Sequence, residues 1–397
     1  MDFPAPCIYQ CRMITPAAPG RAAQNSFYSA PDRLVHASHQ TEMGKINQQL
    51  IADQLQLSRA TVSRCFTNHP GINPTTRAKV FALASRLGYS HQEKREPAGG
   101  RRTARRLAFG VLVCVELPSF EHTGYGNPGQ ELLNGLSEFA RVQEVRLDLH
   151  FVRPQDRHLE DPSYAHILRS RRRVWDGVVL IYPFPLSVVD ELKARYPVVS
   201  LVDQYGTLPL DCVDVDHYRG VSRLVDELHR LGHRRIGFFT WRYPVEASWA
   251  LRRYSAFVEK LTALGLDLDP ADVINAGPRN PLAVDQAHAR AVERTRDGVT
   301  AWICAADHQA YDLVAYFRKE KLRVPRDVSV AGFDGIARPA GAPLLSTVQI
   351  PYHQIGLTGG KRLLDLAQKR YDSHQHILLD CDLRSGTTLA APPESAA

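Results

Sequence analysis

Between positions 58 and 64 the chain carries Ser58, Arg59, Ala60, Thr61, Ser63 and Arg64 around one apolar residue, Val62. An arginine fork matches the two acceptors on a guanine edge, the Ala60 methyl fits a thymine methyl, and hydroxyls suit phosphate oxygens. The set is suited to reading duplex DNA. For Arg64 a phosphate contact without sequence information stays open beside base reading. Ser58 can cap a helix and touch a phosphate at once.

Those side chains share a face only if residues 59–66 are helical. Gln48–Leu55 carries Ile51, Ala52 and Leu55 at one-face spacing, Gln56-Leu57-Ser58 interrupts, and Arg59–Phe66 resumes with Val62 and Phe66 inward. Asn73 and Pro74 supply an N-cap and first-turn proline for a third helix, Pro74–Leu87, with Val80, Leu83, Ala84 and Leu87 facing a core and Gly88 ending it. Two short helices across a three-residue turn, braced by a third, predict a helix-turn-helix whose second helix enters the major groove. Thr67, Asn73, Thr76 and Tyr89 complete the candidate DNA contacts. One such module presents little surface, so a homodimer or larger assembly on a palindromic operator is expected.

Charge points the same way. The 397 residues carry a net +7, yet Met43 to Arg106 hold twelve basic residues against three acids, which leaves the rest slightly acidic. A compact basic head on a near-neutral body suits a polyanion, because each neutralised phosphate releases a counterion. The seven cysteines are scattered and no apolar run reaches eighteen residues, so the expectation is a cytoplasmic protein of reducing surroundings with no membrane partner. Cys7 and Cys11 lack the neighbours of a zinc site, and no metal is expected.

Residues 1–42, with Thr15-Pro16-Ala17-Ala18-Pro19-Gly20, read as a disordered tail. All three methionines precede residue 44, and Met43, just ahead of the first periodic segment, reads as the natural start. Residues 43–90 form the headpiece, and 91–106, with Pro97, paired glycines and arginines, a basic linker. From 107 to 392 apolar runs alternate with amphipathic stretches: Leu107–Val115, Gly129–Val142, Val145–Val152, His158–Arg173, Gly177–Ile181 and Val198–Val202. Then come helix Gly220–Leu231, strand Ile236–Thr240, helix Trp249–Leu264, strand Val273–Asn275, helix Leu282–Thr295, strand Ala301–Ala305, helix Gln309–Lys319 and strand Ser329–Phe333. This predicts α/β structure with parallel sheets, too long for one sheet and so divided into two lobes, with 393–397 a short tail.

The run Ile51-Ala52-Asp53-Gln54-Leu55-Gln56-Leu57-Ser58-Arg59-Ala60-Thr61-Val62-Ser63-Arg64 resembles the headpiece of the lactose/galactose repressor (LacI/GalR) family of bacterial transcription regulators. The likeness continues through Thr76-Arg77-Ala78-Lys79-Val80 and Leu87-Gly88-Tyr89. It extends into the body at Gly232-His233-Arg234-Arg235-Ile236, at Arg253 with Phe257, at Ala305-Ala306-Asp307 and at Val328-Ser329-Val330-Ala331-Gly332-Phe333-Asp334. The resemblance implies a dimeric repressor without cofactor, whose periplasmic-binding-protein-like lobes close on a small effector, most commonly a sugar. Carried over by position, Arg253, Asp307 and Asp334 belong to the effector pocket, with Asp203 at a further strand end. Carboxylates and a guanidinium suit a polyol, and Trp241 and Phe333 could stack on a sugar face. Two other readings stay open: Arg253 paired with Asp307, and Trp241 and Phe333 as core. A purine-responsive or effector-independent regulator is also open. Gly232-His233-Arg234 reads as a structural helix-to-strand turn.

The sequence departs from the family pattern in three places. Ala306 stands where the family often has Asn. The linker lacks an Ala-x-x-Leu hinge and offers arginines able to enter a narrow minor groove. Gln56 replaces the usual turn glycine, which excludes the easiest left-handed turn. Gly124-Tyr125-Gly126-Asn127-Pro128-Gly129, with Asp148, matches a dinucleotide fingerprint in letters, the basis of an alternative enzymatic reading. Its glycines follow their strand only after a loop, and no catalytic motif accompanies them, so no enzyme is expected.

Overall fold

The computed structural model describes residues 47–66, 72, 76, 79, 80, 83, 106–116, 120, 127–168, 175–243, 245, 247–276, 281–370 and 373–394. The expectations for the tail 1–42, the linker 91–105 and the glycine run up to Gly126 lie outside these residues.

Helix α1 (Gln48–Gln54) begins at Asn47, whose side chain accepts from the Leu50 amide, and α2 (Arg59–Phe66) begins just after Ser58. Between them Gln56 takes φ +52°, so the turn is left-handed even without glycine. The Leu57 amide donating to Ala52 O at 2.9 Å closes that turn. Of the expected third helix, Thr76, Lys79, Val80 and Leu83 are described, all helical. Ile51, Ala52, Val62, Cys65, Val80 and Leu83 pack into one small core, with Phe66 half-buried against it. Cys65 thus shares the inward role expected of Val62 and Phe66.

The body has two six-stranded sheets. The first contains β1 (Ala108–Cys114), β2 (Arg146–Val152), β3 (Gly177–Ile181), β4 (Val198–Leu201), β5 (Asp211–Val215) and β11 (His376–Leu379), in the order β11-β5-β4-β3-β1-β2, all parallel. The second contains β6 (Ile236–Phe239), β7 (Val273–Ile274), β8 (Ala301–Cys304), β9 (Ser329–Asp334), β10 (Ser346–Gln349) and β12 (Asp382–Arg384), in the order β12-β10-β9-β8-β6-β7. Only β12 runs antiparallel, against β10, which makes the second sheet mixed rather than purely parallel. Strands β1, β3 and β8 are buried along their whole length because helices cover both faces, which explains their uninterrupted apolar sequences.

The helices are α3 (Pro128–Val142), α4 (Pro162–Leu168), α5 (Leu186–Lys193), α6 (His217–Arg230), α7 (Ser248–Ala263), α8 (Val284–Arg296), α9 (Asp307–Lys319) and α10 (Tyr352–Ala367). The amphipathic stretch expected over 158–173 is helical only at α4 among described residues. The chain crosses between lobes three times: from β5 through α6, from β10 through α10, and from β11 to β12. Helices α3 and α10 touch backbone to backbone at glycines. A Cβ on Gly135 would press into His353 O, and one on Gly356 into Leu132 O. His233 is buried, bonded to Thr300 Oγ1 and Ala390 O, and Gly232 before it has φ +104°, so this segment is a structural turn between α6 and β6.

Candidate functional site

Helix α2 presents the first set of residues. Ser58 Oγ accepts from the Thr61 amide at 3.0 Å and shares a 2.9 Å bond with Thr61 Oγ1, so the serine caps the helix. Ser58, Arg59, Ala60 and Arg64 are exposed, Thr61 and Ser63 half-buried, and Val62 and Cys65 fill the core behind them. Arg59 thus lies on the surface at the capped N-terminal turn, and Arg64 is exposed in the last turn of the helix. Thr76 is half-buried and helical, while Thr67, Asn73 and Tyr89 lie outside the described residues.

The second set surrounds a cavity of about 450 Å³ lined from both lobes at the carboxyl ends of parallel strands. Three lining residues, Tyr182 after β3, Val202 after β4 and Asp334 ending β9, adopt φ of +72°, +60° and +146°. Non-glycine residues held there store strain, and such outliers cluster where ligands bind.

Arg253, on α7, organises the floor. Its Nη1 donates to Ala305 O and, at 3.2 Å, to Asp334 Oδ1, and its Nε donates to His217 Nδ1 at 3.3 Å. The guanidinium lies over the Phe333 ring at 4.0 Å and the Trp249 ring at 4.8 Å. The chain of bonds continues on both sides. His217 Nε2 lies 3.0 Å from Asp214 Oδ2, which accepts from Gln204 Nε2, and the Tyr352 hydroxyl donates to Asp334 at 2.9 Å. The network therefore runs from β5 of one lobe, through α7 and β9 of the other, to α10.

Arg253, Asp334 and Trp241 line the cavity, whereas Asp203, Asp307 and Phe333 stand behind its wall. Phe333 is fully buried core beneath Arg253, so it offers no face to a sugar. Asp307 does not pair with Arg253. Its carboxylate accepts from Thr347 Oγ1 at 2.5 Å and the Ile336 amide at 2.9 Å, which fixes the turn after β9. Burial and the neighbouring Asp334 push its carboxyl well above the usual range. At the position of the departing residue Ala306, a methyl lines the cavity.

Asp203, just after β4, reaches across to the first residue of α7, accepting from the Ser248 amide at 2.9 Å and from Ser248 Oγ. Burial pushes its carboxyl up to about 6, although the Ser248 bonds oppose the rise. With an unfolded value near 3.9, the unfolded chain binds fewer protons between the two, so stability falls as pH rises from about 4 to about 6. The group is expected to remove about 3 kcal/mol across that window. Asp203→Asn keeps an acceptor for Ser248 and should flatten this part of the profile. Urea unfolding of both proteins across that pH range checks it, and identical slopes would dismiss the effect.

Sequence reasoning missed Tyr182, Asp214, Tyr243, Trp249, His308 and Tyr352, all in the lining. Their one local mark is position, since Tyr182 directly follows a strand and Tyr243 lies shortly beyond another. The enzymatic reading of Gly124–Gly129 finds no support in its described part. Asn127 caps α3, and the Gly129 amide donates to the Tyr182 hydroxyl.

Comparison with known proteins finds one consistent likeness. A periplasmic binding protein-like domain matches residues 225–389. The HTH-type transcriptional repressor CytR of Escherichia coli is 25% identical over 350 residues, covering 86% of this chain and 96% of its own length. Over most of its length the chain is similar to transcription regulators of the LacI/GalR type. Catabolite control protein A of Priestia megaterium, 24% identical over 326 residues, covers 80% of this chain and 92% of its own. Among solved structures, a lac repressor dimer bound to operator and the anti-inducer ONPF aligns with TM-score 0.59 and 20% identity, covering 87% of this chain and 99% of that one. A transcriptional regulator CelR–cellobiose complex aligns with TM-score 0.58 and 20% identity, covering 87% and 100%. That likeness accounts for both site classes in one chain, and the curated relatives it matches are transcriptional regulators. Among the described residues, no helix is long and apolar enough to cross a membrane.

Proposed function

We propose that this protein acts as a cytoplasmic repressor of the LacI/GalR type that binds a palindromic operator as a dimer through α2, and that a sugar or sugar derivative between its lobes sets operator affinity. The carrying observation is the cavity whose walls come from both lobes and whose floor is the Arg253–Asp334 network. A ligand there touches both lobes, so its affinity differs between their arrangements, and that difference is what shifts the equilibrium. Arg59 and Arg64 supply the base contacts, Ser58, Thr61 and Ser63 suit phosphates, and the headpiece spans 43–90. Thr67, Asn73, Thr76 and Tyr89 are further contacts, and the arginines of 91–106 follow the minor groove. Relatives that hold operator DNA or cellobiose support the same reading.

Arg64→Ala is expected to weaken binding to the cognate palindrome by about 1–3 kcal/mol while barely changing binding to random duplex. Fluorescence anisotropy at fixed salt measures both. Equal losses would make Arg64 a phosphate clamp, and no preference for any palindrome over random competitor would overturn the proposal.

A further inference from the structure

The cavity offers a ligand rings rather than polar groups. Trp241, His308, Tyr243 and Trp249 form a continuous band on one wall, with centroid separations of 5.1 Å, 6.3 Å and 5.4 Å along it, and all four line the cavity. Tyr182 and Tyr352 face the same space from the other lobe. The phenolic hydroxyls are committed to the protein itself. Tyr182 donates to Asn127 Oδ1, Tyr243 accepts from Gln309 Nε2 at 2.7 Å and lies 2.8 Å from His308 Nε2, and Tyr352 donates to Asp334. Cys114, also in the lining, has its thiol pushed up to about 12 by burial and stays neutral.

Charge narrows the ligand further. The charged side chains among the described lining are Asp214, Asp334 and Arg253, and burial lowers the His308 pKa so that its ring is neutral. Two carboxylates face one guanidinium, and that guanidinium already binds Asp334, Ala305 O and His217. An anionic ligand would enter a low-dielectric site with no uncommitted positive partner. A free hexose would find few partners for a full ring of hydroxyls.

We infer that the effector is an uncharged glycoside carrying a planar ring, with the ring against the Trp241–Trp249 band and the sugar hydroxyls toward Asp334. This rests on the proposed effector site and names its ligand class. Aryl O-glycosides and nucleosides share that chemistry, and the test separates them. Calorimetric titration of the full chain would use p-nitrophenyl hexosides, the matching methyl hexosides, the four ribonucleosides and their 5′-monophosphates, with operator retention measured in parallel.

The expected result is binding by an aryl glycoside or a nucleoside, at least about tenfold tighter than its methyl or 5′-phosphate counterpart. Trp241→Leu should lose about tenfold in that affinity with an unchanged melting temperature of the free protein. Equal or tighter binding of a methyl hexoside or a monophosphate would overturn the inference, as would the absence of binding by every planar glycoside. A methyl hexoside that alters operator retention where no planar glycoside does would leave the effector reading intact while sinking this one. A planar glycoside that binds without altering retention would do the reverse.

Discussion

Arg253→Ala is expected to lower the unfolding free energy of the two-lobed body by about 3–5 kcal/mol and to abolish the effector response, while the folded fraction still binds operator. The Arg253 side chain is 5% exposed and its guanidinium satisfies the carboxylate of Asp334, a side chain 10% exposed. Removing it leaves that carboxylate to the Tyr352 hydroxyl, strips Ala305 O of a donor, and opens the space between the Phe333 and Trp249 rings. A buried charge deprived of its counter-ion accounts for most of the loss. Arg253→Lys keeps the charge but not the fork that spans Ala305 O, Asp334 and His217, so it should recover only part of the stability. Urea unfolding gives the first quantity. Operator titration with and without whichever panel glycoside binds gives the second. A loss below about 1 kcal/mol would dismiss the bracing role, and an effector response unchanged from the parent would remove Arg253 from the site.

That arginine was legible in the sequence by its place in the family pattern, and its chemistry was not. The pattern gave a polyol-binding fork, whereas the structure gives a brace whose bonds to Ala305, Asp334 and His217 span 36 to 81 residues of chain. Asp307 shows the same limit, because Thr347, which claims its carboxylate, lies 40 residues away. Local pattern served well where local physics decides. The capping Ser58, the inward Val62 and the wholly buried β3, β4, β6 and β8 follow from spacing and apolarity. Strand β5 escaped notice because its sequence, Asp-Cys-Val-Asp-Val, places two carboxylates in a fully buried strand. No periodicity announces a strand whose charges are satisfied from elsewhere. Strands β10, β11 and β12, of three or four residues, were equally silent. The aromatic band escaped for a related reason, since Trp241, Tyr243, Trp249 and His308 come from three segments that meet only in the fold.

The first of those β5 carboxylates carries the other large effect. Arg362→Ala is expected to destabilise the protein by about 3–5 kcal/mol without touching the cavity. Arg362 lies on α10 with its side chain 2% exposed, and its Nε donates at 2.6 Å to Asp211 Oδ1, a side chain 1% exposed. The same arginine donates to Ser373 O, and Asp211 also takes the Gln375 amide and lies 2.9 Å from His374 Nδ1. One carboxylate thereby fastens the start of β5, the helix that returns the chain from the second lobe, and the segment leading into β11. Losing the guanidinium strands a buried anion at the point where the first sheet receives its last strand. Arg362→Ala combined with Asp211→Asn removes that anion and should recover part of the loss, which distinguishes an uncompensated charge from a simple cavity. Equal stability for the single and double variants would show instead that Arg362 acts through packing. Because neither residue lines the cavity, the affinity of the folded variant for its glycoside should match the parent. A fall in that affinity would mean that the α10 anchor sets the spacing of the lobes.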